Sequence, residues 1–206
     1  MLFRSGLGDR NDRGMSPLAL EGLVKRVIGG HWGQSPRLAE MASENKIEAY
    51  NFPQGIMAQL ARTAAAGQPG ILSHVGLGTF IDPRVSGGKL NEVSQEDLIR
   101  VMNVDGKEWL YYPVVPLDVC LIRATTADTE GYASMEEEIT YIDVLQLAQA
   151  VHNNGGTVIL QVKRLVKAGT LHPKSVKIPG FLVDAIVVEE KQEQLYNGSD
   201  RFFSGD

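Results

Sequence analysis

Three stretches of the second half of the chain decide the fold: Val119-Cys120-Leu121-Ile122-Arg123, Asp143 to Asn153, and Thr157-Val158-Ile159-Leu160-Gln161-Val162. The first and third are short, near-continuous apolar runs, the pattern of strands buried on both faces. Between them Val144, Leu145, Leu147, Ala148 and Val151 recur at helical spacing, and Asn154-Gly155-Gly156 ends the run. Val183 to Val188 repeats the strand signature. Strand, helix and strand in this order predict neighbouring, mostly parallel strands with the helix crossing between the first two. The expected fold class is therefore α/β: an open, mostly parallel sheet with helices on both faces.

Working outward, Ser16-Pro17 reads as a helix start, with Leu18, Leu20, Leu23, Val24, Val27 and Ile28 at helical spacing and Gly29-Gly30 as the stop. Ser35-Pro36 opens a second helix through about Glu44. Ile47 to Tyr50 is a short strand, Pro53-Gln54-Gly55 a turn, and Ile56 to Ala66 an Ala-rich helix closed by Gly67. Residues 71–93 are Gly-rich and poor in strand signals. Ser94 is expected to cap a short helix through Val101, and Asp105-Gly106 to centre a hairpin involving Glu108 to Tyr112. The boundaries that follow are an irregular segment over 1–15, one domain over 16–188, and a charged tail over 189–206.

The composition agrees with a folded enzyme-like domain. Of 206 residues, 43% are hydrophobic and 22% charged, and the net charge is −5. Phosphate-backbone binding requires clustered Lys and Arg, so no nucleic-acid partner is expected. The single cysteine, Cys120, lies inside an apolar run and reads as a core residue. No apolar stretch approaches the roughly 20 residues of a membrane span, and Met1 to Arg13 lacks an apolar signal core. The default expectation is a cytoplasmic protein without a membrane partner.

Chemical motifs are few. His31, His74, His152 and His172 show no metal-ligand spacing, and no metal site is expected. Glu136-Glu137-Glu138 reads as a solvated acidic face near a helix start. Gly76-Leu77-Gly78-Thr79 follows a possible strand at Ile71 to Val75, but no third glycine or helix comes after it, so it is not a dinucleotide fingerprint. It is either a tight turn or a place where bare backbone amides approach a ligand.

Taken together, the motifs resemble the α-type half of family I CoA-transferases. The resemblance is carried by Pro53-Gln54-Gly55, Gly76-Leu77-Gly78-Thr79-Phe80, Gly87-Gly88-Lys89-Leu90-Asn91 and Ala124-Thr125-Thr126-Ala127-Asp128 with Gly131. Thr170-Leu171-His172-Pro173 and Ile178 to Asp184 extend it. Val27-Ile28-Gly29-Gly30-His31-Trp32-Gly33 points to the acetate/propionate subgroup of the 3-oxoacid branch.

The resemblance implies transfer of coenzyme A between short-chain carboxylic acids, as in short-chain fatty acid and ketone-body metabolism. A glutamate nucleophile attacks the acyl-CoA thioester and becomes a glutamyl-CoA thioester. In the family that glutamate lies in a Glu-x-Gly motif of the β-type half. Here Glu21 and Glu130 each precede a Gly directly, and no Glu has Gly two residues on, so no catalytic residue is assigned to this chain. The chain is expected to be an α-type half, short at both ends, whose partner is a fused or separate β-type half. Coenzyme A enters as substrate, without a permanent cofactor, and the complete enzyme is expected to be a homo-oligomer.

The resemblance places Gln54 near the acyl or carboxylate group of the substrate, with Gly76, Gly78 and Thr79 as a neighbouring wall. A neutral amide can donate to a carboxylate oxygen without adding a counter-charge. The other reading makes Gln54 a residue that merely flanks the helix start. A non-catalytic ligand-binding or regulatory domain of the same fold is the alternative function. A sugar-phosphate isomerase would need an acid and base pair that is not evident.

Overall fold

The structure, a computed structural model, describes residues 15–138 and 141–192. Most of the expected N-terminal segment and C-terminal tail lies outside the described residues. These fall into two compact units, drawn from Met1–Leu60 with Pro69–Val114 and from Ala61–Gln68 with Val115–Asp206.

The first unit begins with a 3-10 turn, Ser16–Leu18, followed by strand β1 (Arg26–Gly29), helix α1 (Pro36–Ser43) and strand β2 (Glu48–Asn51). β1 and β2 pair in parallel, Val27 opposite Ala49 and Ile28 opposite Tyr50. α1 starts as expected, with Pro36 at its first position, and buries Leu38, Met41 and Ala42. These pack with Val24, Val27, Ile47 and Ala49. Helix α2 (Gln54–Ala65) follows β2 after Phe52-Pro53. Strands β3 (Gly70–Ser73), β4 (Arg100–Val104) and β5 (Lys107–Pro113) then form an antiparallel sheet in the order β3-β5-β4.

The second unit holds β6 (Val119–Arg123), β7 (Thr126–Asp128), β8 (Ala133–Ser134), α3 (Val144–Asn153), β9 (Thr157–Val162), β10 (Arg164–Val166), β11 (Val176–Ile178) and β12 (Ala185–Val188). β6, β9 and β12 form a parallel sheet in the order β12-β9-β6, which is the neighbourhood the sequence predicts. α3 packs beneath it. Cys120, Ile122, Val158, Leu160 and Val162 are buried with Ala148 and Val151 in one core cluster. β10, β7, β8 and β11 make a small mixed sheet. Among the described residues no helix is long and apolar enough to cross a membrane.

Three local expectations fail, each because tertiary contacts override local pattern. The run from Ser16 to Ile28 is not one helix. Leu20 and Leu23, which would have lain on its apolar face, are exposed, and the Val27-Ile28 pair gains more by pairing with β2. Ser94 caps no helix. Its hydroxyl accepts the Ala49 N–H at 2.7 Å, which fastens the segment to β2, and the chain enters β4 at Arg100.

The acidic run is not a solvated face. Glu136 accepts hydrogen bonds from Thr126 at 2.5 Å and Ser134 at 2.7 Å, and pairs with Arg164 at 3.1 Å. Glu137 pairs with Lys163 at 2.6 Å and Arg164 at 2.8 Å. Glu138 is buried against Arg123 and Gln192. Burial opposes ionisation of Glu136, but its hydroxyl and guanidinium partners outweigh it and hold the carboxyl below its ordinary range. Lys163 and Arg164 lie 26 and 27 residues beyond Glu137, and become recognisable as its partners only once β7 and β10 are paired.

The two faces of the parallel β12-β9-β6 sheet should respond differently to truncation. Leu160→Ala, which opens a void against α3, should destabilise the second unit by about 2–5 kcal/mol. Leu121→Ala, on the exposed side, should stay within about 0.5 kcal/mol of the parent chain. Urea unfolding followed by circular dichroism distinguishes them, and equal losses would refute this assignment of faces.

Candidate functional site

β1, α1 and β2 form a strand-helix-strand unit, so the C-terminal ends of both strands lie on the same edge. In open α/β sheets that edge gathers ligands, because loops meet there and helix N-termini point toward it. Here β1 runs into Gly30 and β2 into Phe52-Pro53-Gln54, the start of α2. The two ends touch. A Cβ built on Gly30 would lie 2.9 Å from Gln54 Cβ and 3.3 Å from Gln54 Oε1. Position 30 is thus bare because the Gln54 side chain occupies the space a larger residue would need.

Gln54 is the first residue of α2 and is exposed. Among the described residues no hydrogen bond takes up its carboxamide, so both its donor and its acceptor remain available. The alternative that its side chain serves the helix start has no bond to support it. The Met57 N–H is already accepted by the Pro53 carbonyl at 3.1 Å.

Gly76, Gly78 and Thr79 share one tight turn after β3. At Gly76 φ is +100°, and a Cβ there would meet Tyr112 Oη at 2.7 Å and Ile81 Cγ2 at 2.8 Å, so both conformation and space require glycine. Tyr112 donates to the Val75 carbonyl at 2.6 Å, and burial, with the nearby Asp82 charge, pushes its phenol up to about 12. The Thr79 hydroxyl donates to the Gly76 carbonyl at 2.8 Å. The Gly78 N–H donates to Asp82 at 2.9 Å. These polar groups of the turn are therefore engaged locally.

Asp82 holds the turn, a role the sequence reading missed. Its buried carboxylate receives the Arg84 guanidinium at 2.8 and 3.0 Å and the N–H groups of Gly78 and Arg84. Arg84, foremost, with those amides, keeps the carboxyl well below the usual carboxylate range. The signal was an Asp four residues after Gly78 and two before an Arg, legible only once the turn is known to fold back.

The Gly76–Thr79 turn and Gln54 are connected through Gly88. The Asn51 N–H at the end of β2 donates to the Gly88 carbonyl at 2.7 Å, and the Gly88 N–H donates to the Phe80 carbonyl at 2.9 Å. The 76–90 loop is thus anchored to the strand that delivers Gln54, while among the described residues no hydrogen bond joins Gln54 to the turn itself. In the second unit a separate hollow of about 460 Å³ is lined by Arg62, Gln149, His152 and Phe181 among others, and by none of the four predicted residues. Among the described residues no group of three or more His, Cys, Asp or Glu gathers to hold a metal.

Comparison with known proteins gives a consistent result. The family model for coenzyme A transferase matches residues 4–189. The chain is 61% identical over 204 residues to acetate CoA-transferase YdiF of Escherichia coli K12, a match covering 98% of this chain and 38% of that protein. The crystal structure of the acyl-CoA transferase YdiF from Escherichia coli O157:H7, in a thioester complex with CoA, superposes with a TM-score of 0.91 at 59% identity, covering 98% of this chain and 39% of that one. The acetate CoA-transferase subunit alpha of Escherichia coli K12 is 27% identical over 183 residues, which is 88% of this chain and 74% of that subunit. The chain thus spans about two fifths of the length of the YdiF proteins.

Asp82 ties the stability of the first unit to pH. Its folded-state carboxyl is depressed, so its contribution is fully present above the ordinary carboxylate value of about 3.9 and is lost as pH falls from there through the depressed folded-state value. Asp82→Asn should cost about 1–3 kcal/mol near neutral pH and flatten the loss of stability as pH falls below about 4. Melting temperatures of both proteins across that range test this, and parallel pH profiles would exclude Asp82 as the source.

Proposed function

The chain belongs to the coenzyme A transferase family, and on that premise we propose that it is the α-type part of an acyl-CoA:carboxylate CoA-transferase. The observation that carries this reading is the 61% identity to an acetate CoA-transferase across 98% of the chain. The free carboxamide of Gln54 at the shared strand edge adds chemical support.

In this reading the nucleophile is a glutamate outside this chain, contributed by a β-type half, fused or separate. It attacks the acyl-CoA carbonyl, expels CoA thiolate and forms an acyl-glutamyl anhydride. The thiolate then attacks the glutamyl carbonyl, releases the first carboxylate and leaves a glutamyl-CoA thioester. A second carboxylate runs these steps in reverse. Each tetrahedral stage carries an oxyanion, so donors fixed in advance lower the barrier.

Gln54 is the group this chain brings to that chemistry. Its amide N–H donates to an oxygen of the acyl or carboxylate group, and packing against Gly30 limits where the side chain can swing. Gly76, Gly78 and Thr79 contribute shape. With the Gly78 amide and the Thr79 hydroxyl engaged internally, the turn forms a wall that a short acyl chain can approach closely. Coenzyme A is a substrate rather than a resident cofactor. Acetate and propionate are the acids proposed for exchange, in short-chain fatty acid or ketone-body metabolism in the cytoplasm, by a homo-oligomer of the completed enzyme.

Two measurements test this reading. The purified chain, mixed with acetyl-CoA and propionate, should form no propionyl-CoA; turnover proportional to the amount of chain would require a nucleophile within it. In the enzyme completed by its β-type half, Gln54→Ala should lower kcat/KM about tenfold, as expected for loss of a hydrogen bond worth roughly 1.5 kcal/mol, with little change in melting temperature. Unchanged turnover would remove Gln54 from the site.

A further inference from the structure

The hollow of about 460 Å³ in the second unit is lined by none of the residues assigned to CoA transfer. One wall is the last turn of α2, where Arg62 stands beside the small side chains of Ala65 and Ala66. The other is the side of α3 turned away from its buried Ala148 and Val151, and it presents Gln146, Gln149 and His152 at three-residue spacing. Asn153 donates to the Ala65 carbonyl at 2.8 Å and ties the two helix ends together, so the walls are held in place without a ligand. The C-terminal carbonyls of α2 that a basic side chain commonly serves are already taken. Those of Arg62, Thr63 and Ala64 accept the amides of Ala66, Gln68 and Gly67, and that of Ala65 accepts Asn153. Among the described residues no carboxylate and no hydrogen bond engages the Arg62 guanidinium or the carboxamides of Gln146 and Gln149. No Asp or Glu lines the hollow, in a chain whose net charge is −5. The Phe181 ring is 71% exposed and meets the His152 ring with centroids 6.5 Å apart and planes at 77°, so the two rings form a corner.

We propose that this hollow binds a flat aromatic monocarboxylate. Its volume lies within the range of about 300–1,000 Å³ that small-molecule sites occupy. The Arg62 guanidinium takes the carboxylate through two parallel N–H···O bonds, the arrangement its planar fork favours. The corner made by Phe181 and His152 receives the aromatic ring, stacked on one and edge-on to the other. Gln146 and Gln149 supply a donor and an acceptor each to a hydroxyl or carbonyl on that ring. A phosphate is a poorer guest. Phosphate sites draw on the free amides of helix N-termini, whereas this hollow lies against the C-terminal turns of α2 and α3, whose dipoles oppose a second negative charge. A short aliphatic acid has no ring to fill the corner. The site stands whether or not the chain works as part of a transferase, since none of its groups enters that chemistry.

The test titrates the purified chain with cinnamate and follows backbone amide shifts by NMR. Saturable shifts should centre on Arg62, Gln149 and His152, with a Kd of about 1 mM or tighter. Cinnamamide, which keeps the ring and loses the charge, should bind about tenfold more weakly or worse, and so should cinnamate to the Arg62→Gln variant. Phe181→Ala should weaken cinnamate about fivefold. Both replaced side chains are exposed, so the melting temperatures of these variants should match that of the parent chain. Acetate and adenosine monophosphate should bind more weakly than cinnamate. Failure to saturate by about 10 mM, equal affinity for cinnamamide, or unchanged affinity in Arg62→Gln would overturn the proposal. Tighter binding of adenosine monophosphate would overturn it too, by making the hollow a phosphate site. Cinnamate binding that is lost in Gln54→Ala and kept in Arg62→Gln would place the carboxylate at the proposed transfer site instead, and would count against this hollow alone.

Discussion

A parallel strand pair cannot be closed by a tight turn, and that constraint shapes the first unit. The chain must leave β1, cross over through α1 and return to start β2 beside the start of β1. Both strands then end on the same edge, with Val27 and Ile28 held against Ala49 and Tyr50. The helix that makes the return buries Leu38 and Met41 beneath the pair. Without that crossover Gly30 and Gln54 would not meet. The placement of Gln54 is therefore a by-product of how backbone hydrogen bonds are satisfied in a parallel ladder.

Polar interactions serve a second purpose, fixing loops that have little apolar surface of their own. The 76–90 segment buries Ile81, is tied to β2 through Gly88, and is held within itself by Asp82, which gathers a guanidinium and two backbone amides. In the second unit Glu136, Glu137 and Glu138 act similarly, each drawing on partners from other strands. A carboxylate with several donors keeps its charge at low cost, whereas the same group with one partner removed would remain buried and unpaired.

Much of the architecture was legible in the sequence where one signal dominated. Thr157 to Val162 is a strand with the bounds its apolar run implies, and Ser35-Pro36 marks the start of α1. Asp105-Gly106 forms the hairpin turn between β4 and β5 with positive φ at both residues. The failures share a cause. Val27-Ile28 fits helical spacing and strand pairing equally well, and only the presence of β2 decides between them. Ser94 has the chemistry of a cap, and its hydroxyl is taken by Ala49, 45 residues away. At the candidate site Gln54 could be singled out by its motif, but the bareness of Gly30 becomes meaningful only when its distance to Gln54 is known. Asp82 was passed over because its partners lie in a turn whose closure it helps create.

The contact between Gly30 and Gln54 also bears on how this family can diverge. The two positions are distant in the chain, yet they share a volume too small for two side chains of ordinary size. Because a Cβ at position 30 would meet the Cβ and Cα of Gln54, shortening residue 54 would not make room; the start of α2 itself would have to shift. The two positions are therefore a linked pair, and a side chain at position 54 keeps its present place only while position 30 stays small.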